Sequence, residues 1–522
     1  MRKKRTWLVI LGIILGLNAS VTPSAAGTAG SAPTISTYGP DYLVKADGSL
    51  WVWGENRSVP TQVPGAEHVK DYFSLWDSAL FTTKDDDAVW KWQTNPKTLG
   101  IETVQLQELQ KLVRLFNLGD RYLAVSEDGT VSTAVMSLDG LTMTPFTPVS
   151  GIGQVAAVSG YSEDNKDGDW RRFLFLKSDR TVWTSTDDFA TFTPVKNLND
   201  VTQLEGNYAL QKDGSVWTWP VQSIYEPSTQ GNPDNVTPSP LQGMTNIMRL
   251  SYNGQSLLAI DGQSRLWFWG STITGSSDGT TYHHQAAPVL FTGIQNVIDA
   301  CIVERSIVAI TAEDKVYTAS IENDHMSAQA NFSLLASEMK SIKGGGRHVI
   351  MQKNDGSLWG WGVNKNAQLG YASYEFRYNE PVPMQKPISV TLNGENISLT
   401  NGVITRNGQN FIPLRSLFDK MGATVSYKED VQSAPSSIPG VNSYTVDKNV
   451  LITRPAGDQP ALSIAINTVT KSTKVNGKSV TLPTAPFIVN GTMYLPLRFI
   501  SEQLGAVVEW LPNEEKISIT MK

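Results

Sequence analysis

Leu43-Val44-Lys45-Ala46-Asp47-Gly48-Ser49-Leu50-Trp51-Val52-Trp53-Gly54 decides the architecture of this chain. An apolar run enters Asp-Gly, and a small, an aliphatic and an aromatic residue follow. Asp-Gly between two apolar runs is the strongest short-range hairpin signal, because glycine reaches positive φ without steric cost. Leu50, Trp51, Val52 and Trp53 are apolar in succession, so the second strand must be covered on both faces. The pattern returns in Gln211-Lys212-Asp213-Gly214-Ser215-Val216-Trp217-Thr218-Trp219 and in Asn354-Asp355-Gly356-Ser357-Leu358-Trp359-Gly360-Trp361-Gly362. Weaker copies centre on Trp90, Trp183, Trp267 and Tyr317, and Glu127-Asp128-Gly129-Thr130-Val131 has Ser132 in the aromatic position. These eight units, from position 51 to 359, recur on average every 44 residues. Thr61-Gln62-Val63-Pro64 and Val382-Pro383-Met384 read as outer strands, where a missing N–H does no harm. A four-stranded period of this length is the signature of a β-propeller, whose radially stacked sheets cover one another.

The unit Ile342 to Gly362, continuing through Asn364 and Asn366 to Gln368-Leu369-Gly370, resembles the regulator of chromosome condensation repeat family over residues 35–386. That resemblance implies seven blades, against eight hairpin units counted. It implies architecture more than activity, since such propellers serve as chromatin-linked exchange factors, ubiquitin-ligase modules and secreted inhibitors, and fold does not carry function.

From Pro387 tryptophan almost vanishes, and a second repeat appears at a constant offset of 83. Asn393-Gly394 matches Asn476-Gly477, Asn407-Gly408 matches Asn490-Gly491, Phe411-Ile412-Pro413-Leu414-Arg415 matches Tyr494-Leu495-Pro496-Leu497-Arg498, and Gly422-Ala423 matches Gly505-Ala506. Asn-Gly at 407–408 and 490–491 predicts hairpins. Leu414, Leu417, Phe418 and Met421 share one face of a short helix, as do Leu497, Ile500 and Leu504. These motifs resemble the copper amine oxidase N-terminal-like domain of exported Gram-positive proteins. The expected fold class is therefore mainly β, a β-propeller (35–386) followed by a duplicated small α+β domain (387–522) with halves near 388–430 and 471–522. Residues 371–386 read as a linker. The resemblance implies a non-catalytic appendage with no cofactor. Copper amine oxidase chemistry needs three histidines and Asn-Tyr-Asp/Glu; no histidine follows His348, and Asn207-Tyr208 runs into Ala209.

Arg2, Lys3, Lys4 and Arg5, the 11-residue apolar run Trp7 to Leu17 and Ser24-Ala25-Ala26 predict a signal peptide (1–26) cleaved near Ala26. The run is too short to span a bilayer, and no later segment approaches that length, so the mature chain has no predicted transmembrane segment. One cysteine excludes a disulfide framework. The chain carries a net charge of −6, and its leader contributes only positive residues, so the mature part argues against nucleic-acid binding.

Several residues carry candidate chemistry. Glu163, Asn165, Asp167 and Asp169 match early positions of a calcium loop, but position 12 is Leu174; a hydrated acidic loop is the plainer reading. Asp85-Asp86-Asp87 reads the same way. His283-His284 would point to opposite faces of a strand. Arg415 and Arg498 offer carboxylate recognition or helix anchoring. The register of the propeller tryptophans argues for packing, whereas Trp76, Trp170, Tyr225, Tyr282 and Tyr374 fit loop platforms. Cys301 reads as a small buried hydrophobe. No catalytic, cofactor or metal motif stands out. The expectation is a secreted or cell-wall-associated, non-catalytic monomer that binds an extracellular protein or a cell-wall glycan through its propeller loops. The alternative is a polysaccharide- or cell-wall-active enzyme, which requires convergent acids or histidines in one mouth of the propeller.

Overall fold

A computed structural model describes residues 35–522 apart from 76–77, 138–141, 166–167, 222–235, 277–278, 414–416, 436–441, 458–459 and 483. The signal-peptide expectation lies outside these residues, as do Trp76, Asp167, Tyr225, Leu414 and Arg415.

The repeat motif explains itself at the Asp-Gly turn. Gly48 N–H donates to the Lys45 carbonyl at 2.9 Å, and Gly48 sits at φ 83°. This is a three-residue turn closed by a left-handed glycine. A Cβ on Gly48 would stand 2.7 Å from Cα of His68, the residue that opens the next blade, so conformation and close approach both demand glycine. Gly129 and Gly214 meet Gln154 and Asn246 in the same way. Asp47 Oδ1 accepts from the Ser49 N–H at 2.9 Å and its hydroxyl at 2.6 Å, and Trp51 Nε1 donates onward to Ser49 Oγ at 3.0 Å. The relay recurs at Asp213–Ser215–Trp217 and Asp355–Ser357–Trp359. Lys45 and Lys353 cover the faces of Trp51 and Trp359.

Among the described residues eight successive antiparallel sheets span 35–62, 69–110, 112–148, 155–194, 201–240, 247–290, 297–337 and 339–383, one for each hairpin unit rather than the seven that the resemblance implies. Each runs its strands in chain order. The sixth gains a strand because Leu266–Thr274 pairs with both Thr281–His284 and Val289–Leu290. Eight apolar clusters fill the eight gaps between neighbouring sheets. The last of them joins Trp51 and Trp53 to Ile350, Leu369 and Met384 and so closes the ring. Trp53 Nε1 reinforces it by donating to the Gln368 carbonyl at 2.8 Å. Both terminal blades are built of contiguous strands, so closure rests on side chains and on backbone bonds between loops, Glu55 N–H to the Asn366 carbonyl at 2.6 Å and Ala372 N–H to the Ser58 carbonyl at 2.9 Å. The segment expected to be a linker is the outer strand of blade 8, Arg377–Pro383.

In the C-terminal part all four Asn-Gly turns have both residues at positive φ, the two-residue hairpin geometry that matches strand twist. Their strands do not stay within their own halves. Ser389–Leu392 lies parallel to Lys516–Met521, and Gln409–Pro413 lies antiparallel to Thr492–Pro496. In the latter pair Ile412 faces Leu495, its own equivalent at offset 83, so the repeat becomes a local two-fold axis. A third sheet holds Thr424–Pro435, Asn442–Arg454, Leu462–Asn467, Thr473–Val475 and Lys478–Val480. The second expected helix is Leu497–Gln503. Of the first, the described residues form only a 3-10 turn, Asp419–Met421, ended by Gly422 at φ 75°. One core draws Leu417, Phe418, Leu497, Ile500 and Leu504 from both halves.

This part is seated firmly on blade 1. Lys45, nearly buried, donates to the Pro387 carbonyl at 3.2 Å and pairs with Glu515 at 3.4 Å. Val59 of the blade's outer strand packs with Ile404, Phe411 and Tyr494.

Candidate binding cleft on the loop face of the propeller

The meander places every Asp-Gly turn on one face of the ring and the turns joining strands one to two and three to four on the other. That second face carries a cleft of about 650 Å³ where loops of blades 1, 2, 3 and 8 meet. The tight turn Gly54–Arg57 delivers Arg57 to its wall. Asn95 builds the rim: its Oδ1 accepts the Lys97 and Thr98 N–H groups at 2.9 and 3.0 Å.

Arg57 is only 3% exposed. Its guanidinium lies 5.3 Å above the Trp92 ring, and Nη2 donates to Thr94 Oγ1 at 2.9 Å. Its Nε is buried without an acceptor. Burial pushes the Arg57 pKa down to about 10 and also lowers that of the half-buried Lys91. Neither cation has an ion-pair partner among the described residues.

The acids and the histidine of the cleft are otherwise engaged. Burial raises the Asp41 pKa, and its carboxylate accepts from Ser74 Oγ at 2.9 Å. Glu55 accepts from Asn366 Nδ2 at 2.8 Å. His348 lies 2.9 Å from the Pro40 carbonyl through Nε2, and burial lowers its pKa, so it is neutral and donates. On the rim, Leu99 is 53% exposed and held at φ 58°.

The structure separates the residues singled out from sequence. Glu163 turns inward and pairs with Arg172 at 3.0 Å, both nearly buried. That removes it from the calcium-loop set; Asp167 lies outside the described residues, and Asn165 and Asp169 sit on the strands of a hairpin. Asp85 and Asp87 pair with His68 and Lys70, and Asp86 accepts from Thr83 at 2.5 Å. His283 bonds Thr274 while His284 packs on Trp269. Tyr374 is fastened to the Glu55 carbonyl at 2.8 Å. Burial pushes the Cys301 thiol up to about 12. Arg498 lines a second cavity of about 700 Å³ in the C-terminal part, with Trp510 and Asn410, and lies 3.6 Å from Glu502. Sequence reasoning missed Arg57 and Lys91. The only signal for Arg57 was a cation opening the apolar outer strand Arg57-Ser58-Val59-Pro60.

The chain is thus a mainly β protein, a β-propeller joined to a C-terminal domain. Residues 445–519 match the family described as the copper amine oxidase N-terminal domain, which takes in the second half of the duplication and not 388–430. Similar solved structures include Prp20p from Saccharomyces cerevisiae, reported with its binding to Gsp1p and histones, at 12% identity over 66% of this chain and 88% of that chain, TM-score 0.40. Yeast RCC1 (Prp20) bound to Kap60 matches at 12% over 71% and 91%, TM-score 0.41. Human WBSCR16 matches at 15% over 63% and 85%, TM-score 0.36. No curated protein matches the sequence. Among the described residues no helix is long and apolar enough to cross a membrane, and no three or more His, Cys, Asp or Glu side chains are grouped to hold a metal ion.

Proposed function

We propose that this is an exported, non-catalytic binding protein that grips an extracellular or cell-envelope partner with the loop face of its propeller, while the C-terminal domain attaches or orients it. The observation that carries the reading is the cleft itself: four blades contribute loops to one concavity, the usual form of a recognition site. The enzyme alternative required free convergent acids or histidines, and Asp41, Glu55 and His348 are each committed to a neighbour.

Site-specific photo-crosslinking tests this. A photoreactive residue at Leu99 on the loop face, or at Asp355 on the opposite face, is placed in the mature chain and exposed to culture medium and to cell walls. The expected result is one dominant adduct from Leu99 and none from Asp355. Adducts from Asp355 alone, or from neither, would refute the reading.

A further inference from the structure

We propose that the Arg57–Lys91 corner of the cleft receives an acidic side chain of a protein partner, with an aliphatic neighbour of that residue lying on Leu99. This rests on the loop-face reading above and names the chemistry of what is bound.

Arg57 is charged throughout the physiological range and almost wholly withdrawn from water. A buried charge is costly unless it is paired. Thr94 serves one of its nitrogens, but Nε is left without an acceptor. Lys91 is a second cation in the cleft lining. The corner therefore lacks a negative charge and acceptor oxygens. A carboxylate supplies both, and its two oxygens suit a guanidinium. Asp41 does not fill this need, because its oxygens are taken up by Ser74 and Tyr72.

The rim favours a protein over a sugar acid. Trp53 and Trp92 are nearly buried, so the cleft offers no bare aromatic face for a sugar ring. It offers Leu99 instead, an exposed branched side chain in the left-handed region, with Leu75 and Met136 nearby in the lining. Such backbone strain collects at functional sites. An acid next to an aliphatic residue on one extended segment meets both features.

The test uses the mature chain, immobilised, and a phage-displayed library of random peptides. Selected peptides are expected to carry Asp or Glu beside Leu, Ile, Val or Met. Changing that acid to its amide should weaken binding by roughly tenfold or more. Arg57→Met and Lys91→Met should do the same, and soluble polygalacturonate should not compete. Lys91, half-buried, keeps the test valid if Arg57→Met does not fold. Peptides without an acid, or affinities unmoved by Lys91→Met, would overturn the assignment while leaving loop-face crosslinking intact. Polygalacturonate binding that depends on the same cations would overturn the choice of a protein partner. Loss of the Leu99 crosslink altogether would remove the underlying reading as well.

Discussion

Gly402→Ala is the sharpest probe of how the two parts are joined. Gly402 passes so close to blade 1 that a Cβ would overlap the Pro60 carbonyl oxygen and stand 3.0 Å from its carbon and 3.1 Å from Val59 Cγ2. Its φ lies outside the left-handed region, so alanine meets only the space problem. Two responses compete. Opening the seam would uncover Val59, Ile404, Phe411 and Tyr494, at most about 1.5–3 kcal/mol each. Absorbing the overlap as strain costs about 1–3 kcal/mol. Strain is the cheaper response, so the seam should stay shut. Differential scanning calorimetry of the mature chain should show the C-terminal domain and blade 1 still melting together, with the transition lowered by roughly 2–12 °C, at about 2–4 °C per kcal/mol for a unit of this size. Gly457→Ala, with nothing within 4 Å of the added carbon, is the control and should lose nothing. An unchanged melting temperature, or a split into two transitions, would refute the reasoning.

Three further outcomes are expected. Leu497→Ala and Phe418→Ala, both fully buried in the core shared by the two halves, should each cost about 2–5 kcal/mol in urea titration, and a 387–440 fragment should stay unfolded because its strands pair with those of the other half. Hydrogen bonds from Thr130, Thr181, Ser215 and Ser357 hold the carboxyls of Asp128, Asp179, Asp213 and Asp355 below the usual range. Because the folded values are depressed, the stability they add is present above the ordinary Asp value of about 3.9 and lost as pH falls through the folded values. The urea midpoint should therefore fall below about pH 4, and Asp213→Asn with Asp355→Asn should flatten that fall. Mass spectrometry of the exported protein should find an N-terminus near Gly27; a retained Met1 in the culture fluid would count against export.

What could be read in the sequence is what local chemistry repeats. Asp-Gly-Ser-x-Trp is legible because each of its residues has a local duty: the aspartate holds the serine, the glycine clears the next blade, and the serine oxygen accepts from the indole N–H. The same rule worked for the Asn-Gly turns at 407–408 and 490–491. It failed where the partner is distant in sequence. Residues 371–386 looked like a linker because the strand Arg377–Pro383 pairs on one edge only and needs no strict alternation. The long hairpin Thr424–Pro435 with Asn442–Arg454 lies largely in the stretch where the offset of 83 lapses, so no internal copy announced it. Nor did the repeat reveal that the halves exchange strands, since register within a half says nothing about which sheet it joins.

The cleft lay beyond sequence reading for the same reason, and that bears on what it does. Seven of the propeller's eight seams are made in chain order, but the eighth must bring blade 8 back to blade 1. Cleft and closure share residues: Trp53 and His348 bind the ring shut and also line the cleft. Arg57 sits on the outer strand of blade 1 beside that seam, two residues before Val59, which anchors the C-terminal domain. Ring closure, domain attachment and the unpaired cation thus meet within a few residues of one strand. A load on the cleft would be carried directly into the C-terminal domain through Ser58 and Val59, with no linker between them. On the proposed reading, in which the propeller binds and the C-terminal domain attaches, this short path would transmit position from one to the other.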